Sequence, residues 1–208
     1  MKLKKNAKIF IIVLVIVVVL ILGGIIVSKL IPKKEEVKEA KVIDTIDDYG
    51  YVLKDNKSKE YQSLFKELIT VLHAKEIDEA SYANKLSEMF IVDFYSLSDK
   101  SAKTDVGGTD IVHPDVLNNF LENAENTYYK YVESNIYNNR NQELPKVETV
   151  TVEKTENIKY TYGEITDEKA YSVDVVWTYT EEKFSDYQQK ANLTFVHKDN
   201  KLYLVELK

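Results

Sequence analysis

Apolar and polar positions fall into three successive patterns along the chain. Residues 9–28, "IFIIVLVIVVVLILGGIIVS", are twenty residues without a charge. As a helix they would rise about 30 Å, the thickness of a bilayer's hydrocarbon core. From residue 58 a helical period takes over. Tyr61, Leu64, Phe65, Leu68 and Leu72 recur at three- and four-residue steps and predict a helix over 58–73, capped by Asp55 or Ser58. Tyr82, Leu86, Met89, Phe90 and Phe94 predict a second helix that starts after Asp78. Val116, Leu117, Phe120, Leu121, Ala124, Tyr128, Tyr131, Val132 and Ile136 predict a third, running from Pro114 through more than five turns. The polar run "NNRNQELP" ends it.

The period then drops to two. "VETVTVEKT" is rich in β-branched residues, and "NIKYTYGEI" alternates Ile158, Tyr160 and Tyr162. "AYSVDVVWTYT" alternates Tyr171, Val173, Val175, Trp177 and Tyr179. "ANLTFVHKDNKLYLVEL" reads as two short strands about a Lys-Asp-Asn-Lys turn. Helices followed by a run of strands predict α+β: about three helices packed on an antiparallel sheet of four to five strands, behind an N-terminal transmembrane helix.

The apolar run is too long for the core of a cleaved signal peptide, and no A-x-A pattern follows it. It reads as a signal anchor. Lys2, Lys4, Lys5 and Lys8 precede it, and Lys29, Lys33, Lys34, Lys38 and Lys41 follow, so a lysine count nearly ties. The short, acid-free first tail favours an N-terminus inside and the C-terminal domain outside. The expected organisation is a basic cytoplasmic tail (1–8), a membrane span (9–31), a juxtamembrane linker (32–56) and an extracytoplasmic domain (57–208). Within the linker, "VIDTIDDYGYVLKDN" is mixed in character and could extend along the domain.

Composition removes several functions. Cysteine is absent, which excludes disulfides, thiolate zinc sites, cysteine nucleophiles and lipid attachment at a cysteine. The whole chain carries −6 and its first 34 residues +7, which leaves −13 on residues 35–208. An acidic body of that size repels nucleic-acid phosphates.

The polar stretch "DKSAKTDVGGTDIVHPD", 99–115, lies between two apolar segments and invites a chemical reading. Asp99, Ser101, Asp105 and Asp110 stand at calcium-loop positions, but Lys103 and Thr104 occupy places that need an oxygen ligand and a glycine. The Gly107-Gly108 pair is too short for a phosphate cradle. Pro114 suits the first position of a helix, with Asp115 at its positive end and His113 at the boundary. At this length the stretch reads as a contact loop, with Asp105, Gly107, Gly108 and His113 as its candidate residues. His73 and His197 are isolated, no nucleophile elbow is present, and nothing names a catalytic residue, a metal or a cofactor.

The chain's 15 tyrosines are its strongest bias. Tyr128, Tyr131, Tyr160, Tyr162, Tyr171 and Tyr179, with Trp177, are the candidates for an aromatic pocket; ordinary packing is the competing explanation.

The order of elements over residues 57–208, with strands such as "YSVDVVWTYT", resembles the NTF2-like (cystatin-like cone) superfamily. It looks most like the membrane-anchored VirB8-type and TcpC-type components of conjugation and type IV secretion machines. The resemblance implies a curved sheet wrapped around a long helix, with a concavity used for ligand binding or assembly. It carries over no catalytic residue. The function expected is a single-pass, non-enzymatic interaction or scaffold domain in a bacterial envelope complex. Its partners would be the bilayer, through the N-terminal helix, and envelope proteins or a second copy. The alternative is a binding module that holds a small apolar ligand or peptide in the aromatic pocket.

Overall fold

The computed structural model describes residues 40–208. The expected membrane span, 9–31, lies outside them, as does the start of the expected linker. Among the described residues no helix is long and apolar enough to cross a membrane.

The described chain is α+β, with three helices and two antiparallel sheets. It opens with a hairpin of β1 (Val42–Ile46) and β2 (Tyr51–Lys54), in which Ile46 pairs with Tyr51. Residues 42–54, expected within the linker, thus belong to the folded domain. Ile46, Tyr51 and Leu53 are buried in the main core, and the Tyr51 hydroxyl lies 2.6 Å from that of Tyr82. The two-residue alternation of Tyr51 and Leu53 is what puts both on the buried face.

Helix α1 (Lys59–Leu72) is capped by Ser58, whose Oγ accepts the Tyr61 amide at 3.2 Å. Its Tyr61, Phe65, Leu68 and Leu72 are buried, the face the periodicity predicts. Helix α2 (Glu79–Tyr95) starts on the Asp78 cap. Its last turns are buried all round, Met89 through Tyr95 without a break. Such a helix sits inside a core rather than on it.

That position puts Asp93, 8% exposed, where an unpaired charge would be severely destabilising. Three donors meet it. Lys100 Nζ lies 2.8 Å from Oδ1, Lys57 Nζ 2.5 Å from Oδ2, and the Gly108 amide 2.8 Å from Oδ2. Burial alone pushes the Asp93 carboxyl up, but the two ammonium groups outweigh it and hold the group at about 2.

The stretch after α2 is tied inward at Lys100, at 106–108 and at 111–113, while Asp99, Ser101, Lys103, Thr104, Asp105 and Asp110 stay exposed; this corrects the contact-loop reading for its buried candidates. Gly107, Gly108 and His113 are buried; of the four candidates only Asp105 is exposed, and it is spent on the amide and hydroxyl of Ser101. A Cβ on Gly107 would stand 2.1 Å from the Asp93 carbonyl oxygen, and one on Gly108, at φ +74°, 2.5 Å from the Phe90 ring. The glycines permit close approach to α2, not a mobile turn. Farther on, the chain joins the sheet: Val112 makes a parallel bridge to Leu204, with Ile111 and His113 exchanging hydrogen bonds with the Leu204 backbone. The chain's single arginine, Arg140, ties the loop from outside through the carbonyls of Ser98 and Lys100.

Helix α3 (Pro114–Asn126) begins at the predicted proline but is shorter than its pattern. At Thr127 the backbone leaves helical geometry, and Tyr128 and Tyr131 are not on the helix. Tertiary bonding overrides the period. Tyr129 turns fully inward, donates to the Phe94 carbonyl at 2.6 Å and accepts the Gly107 amide at 3.1 Å. The Phe94 carbonyl is one of the acceptors that the end of α2 leaves unpaired.

The main sheet runs in the order β3 (Val147–Tyr162), β4 (Ile165–Tyr179), β5 (Lys190–Lys198), β6 (Lys201–Leu207). The two segments expected over 147–165 are one long strand, kept in pairing by register shifts. Val173, Val175, Trp177, Leu193 and Phe195 face the main core. On the opposite face, Ala170 and Val196 are also fully buried, and there the Tyr162 ring packs edge-on against His113, with centroids 5.2 Å apart. The sheet thus has a second, smaller core, and β5 is buried on both faces.

Removing residues 99–110 should abolish cooperative folding, and Asp93→Ala should cost roughly 3–5 kcal/mol, since two lysines lose their counter-charge. Asp105→Ala should stay within about 0.5 kcal/mol. Urea unfolding followed by Trp177 fluorescence measures all three. A deletion variant with an intact transition would mean the loop is dispensable.

Candidate functional site

Between α3 and β6 lies a groove of about 390 Å³. Phe94, Val112, Phe120, Ala124 and Leu204 give it an apolar floor, and Asn119, Asn123 and Glu206 stand among its polar lining. Helix α3 supplies one wall because its stripe is only half-buried: Val116 and Phe120 remain partly accessible. Strand β6 supplies the other wall and is an edge of the sheet. Its outer side is bridged at Leu204 by Val112; beyond that bridge, β5 is its only strand neighbour among the described residues.

Tyr128 lines this groove and also a second cavity of about 250 Å³, lined with it by Tyr95, Leu97, Pro145, Tyr179, Tyr187 and Gln188. The Tyr128 hydroxyl donates to the Gln188 side-chain oxygen, and the Tyr179 hydroxyl donates to the Gln188 backbone carbonyl at 2.9 Å. Trp177 stacks behind Tyr95, with ring centroids 4.4 Å apart.

The aromatic residues proposed from sequence do not form one pocket. Tyr128 and Tyr179 meet, with Trp177 buried behind them. Tyr131 is 74% exposed and lines neither cavity. Tyr160 and Tyr162 cover the opposite face of the sheet. Tyr171 packs beside His197 and donates to Glu79 at 3.3 Å. Sequence reasoning missed Phe94, Phe120, Asn119 and Asn123 as groove residues, and Tyr95, Tyr187 and Gln188 as cavity residues. Asn119 and Asn123, one helical turn apart beside the apolar stripe, were a readable sign of a half-covered face. Nothing local marked Tyr187 or Gln188.

Two other polar clusters are structural in form. His197 has Nδ1 2.8 Å from Asp167 and Nε2 3.4 Å from Glu79. The outer nitrogen faces a carboxylate, not a serine or threonine hydroxyl, so the arrangement clamps β4, β5 and the first turn of α2 together. Among the described residues no group of three or more such side chains is placed to hold a metal ion. His113 caps α3: its Nδ1 accepts the Asp115 amide at 3.2 Å, which leaves the hydrogen on Nε2, 3.4 Å from the Tyr162 hydroxyl. Burial pushes this imidazole down from its ordinary value; Lys198 adds to that and Asp115 opposes it.

No family model matches the chain, and comparison with curated proteins and with solved structures also gives no match.

The depressed His113 makes a pH prediction. The unfolded chain takes up its proton first, near pH 6.5. The histidine's contribution is therefore complete above that value and is lost as pH falls toward the lower folded value. Urea midpoints should drop between pH 7 and pH 5, and less so in His113→Asn, which keeps a capping acceptor that cannot titrate. Identical pH profiles would mean that His113 contributes nothing to the dependence.

Proposed function

We propose that the protein is a membrane-anchored, non-enzymatic interaction module, with its α+β domain outside the membrane and its α3–β6 groove taking an extended apolar segment of an envelope partner. The anchor is the uncharged stretch 9–28 behind a lysine-rich tail. The NTF2-like resemblance accords with such a domain but names no partner. The observation that carries the reading is that the apolar groove runs beside the end of β6, past the bridge at Leu204, where the strand has no outer strand partner among the described residues. An extended chain laid there would gain main-chain hydrogen bonds from the last residues of β6 and side-chain contacts from Phe94, Phe120 and Leu204. The acidic domain, at −13 over residues 35–208, disfavours nucleic acid as that partner.

Photo-crosslinking in intact cells tests this. Benzoylphenylalanine at Asn119 or Asn123, both exposed on α3, should give a discrete adduct with one envelope protein or a second copy. The same group at exposed Glu168, on the β3–β4 hairpin, should give none. No adduct from α3, or the same adducts from all three positions, overturns the groove as the binding site.

A further inference from the structure

Tyr128 stands between the groove and the second cavity. Its ring packs edge-on against Phe94, with centroids 5.6 Å apart, and edge-on against Tyr95, at 5.5 Å. Phe94 and Tyr95 are consecutive on α2 and meet edge-on at 4.9 Å. Phe94 floors the groove and Tyr95 lines the cavity, so one aromatic triad underlies both. The Tyr128 hydroxyl donates to the Gln188 side chain, which holds the ring in place. Groove and cavity are neighbouring compartments of one surface, with a phenol ring between them.

The cavity's chemistry follows from what its polar atoms already do. The Tyr128 and Tyr179 hydroxyls are both spent on Gln188, and the Tyr95 hydroxyl is buried. None of the lining side chains is charged. An occupant therefore meets mainly ring carbon, with Leu97 and Pro145. At about 250 Å³ the cavity is smaller than the ~300–1,000 Å³ of a site that encloses a whole small molecule, and it suits one large side chain. Its rim is accessible, since Tyr128 is 45% exposed and Tyr187 53%. Exposed tyrosines around an uncharged recess are the composition of anchor points in protein interfaces.

We propose that the cavity is the anchor subsite of the groove: the partner's extended segment crosses Tyr128 and seats one bulky apolar side chain, aromatic or leucine, among Tyr95, Tyr179 and Tyr187. This rests on the α3–β6 groove being the place where the partner binds, and it adds the chemistry of that partner. At about 3.3 Å per residue, an extended chain crosses one phenol ring in about two residues. The anchor side chain thus stands about two positions from the last groove-bound residue. The segment around it is uncharged, because Glu206 is the only charged residue lining the groove and the cavity has none. Two domains that each carry −13 over residues 35–208 repel one another, which favours a different protein over a second copy as the source of the segment.

The test is photo-crosslinking of the full-length protein in intact cells, with each adduct mapped by mass spectrometry. Benzoylphenylalanine at Tyr187, on the cavity rim, should capture the same partner segment as the group at Asn123, at or beside a bulky apolar residue. Tyr187→Ala removes one wall and should lower the adduct yield from Asn123 about tenfold. Tyr187→Phe, which keeps the ring, should restore it. Tyr131→Ala, at a position 74% exposed that lines neither compartment, should leave the yield unchanged. An Asn123 adduct indifferent to Tyr187→Ala, or no shared adduct from position 187, overturns the anchor subsite and leaves the groove standing. Equal losses in Tyr187→Ala and Tyr187→Phe overturn the apolar assignment, because the hydroxyl would then be the group in contact. Adducts that join two copies of this chain overturn a different protein as the source. No adduct from Asn123 in the parent chain removes groove and anchor together.

Discussion

Asp93 puts a negative charge on the most buried stretch of the chain, and the surrounding architecture answers that charge. A carboxylate in the fully buried last turns of a helix is tolerable only when paired and hydrogen-bonded. Its three partners come from three places: Lys57 ahead of α1, Lys100 just after α2, and the Gly108 backbone. One side chain thus fixes the start of α1 and both halves of the 99–113 loop against α2. The glycines are required because the loop approaches the Asp93 backbone and the Phe90 ring too closely for any side chain.

The consequences run outward from that clasp. Once Gly107 and Gly108 are seated, the chain reaches the outer side of β6 and bridges Leu204. His113 then closes the loop as the cap of α3, which sets the wall of the groove. Tyr129 locks the other end, by donating to the Phe94 carbonyl near the end of α2 and holding the Gly107 amide. The inward turn of Tyr129 also carries Tyr128 off the helix and into the position where the two cavities meet. The groove and the second cavity thus share Tyr128 as a wall.

Local signals show why some of this was legible in the sequence and some was not. The stripe of α1, the Asp78 cap and the Pro114 start are set by neighbours within one or two turns, and each is where its residues predict. The four-strand meander follows from the two-residue period and the Asp-Asn turn, although the bulges that make 147–162 one strand leave no local mark. The third helix was over-extended because Tyr128, Val132 and Ile136 keep helical spacing while Tyr129 answers a distant demand from Phe94. The polar stretch 99–115 deceived for the same reason. Its aspartates and Lys103 are exposed, as their polarity suggests, but only the buried Asp93, itself hidden within an apolar helix, shows that Lys100 and Gly108 point inward. The aromatic pocket was partly legible: Tyr128 and Tyr179 do meet, whereas the alternation of strands sends Tyr160 and Tyr162 to the opposite face.

The central claim is that the 99–113 segment is held at the stability of the core, not at that of a surface loop. Residue-resolved amide hydrogen exchange measures this directly. The amides of Gly107, Gly108, Ile111 and His113, each hydrogen-bonded to another element or within the loop, should exchange only with global unfolding, at the same free energy as the amides of α2. Exchange of these four amides at the rate of an open loop, while α2 remains protected, would contradict the account.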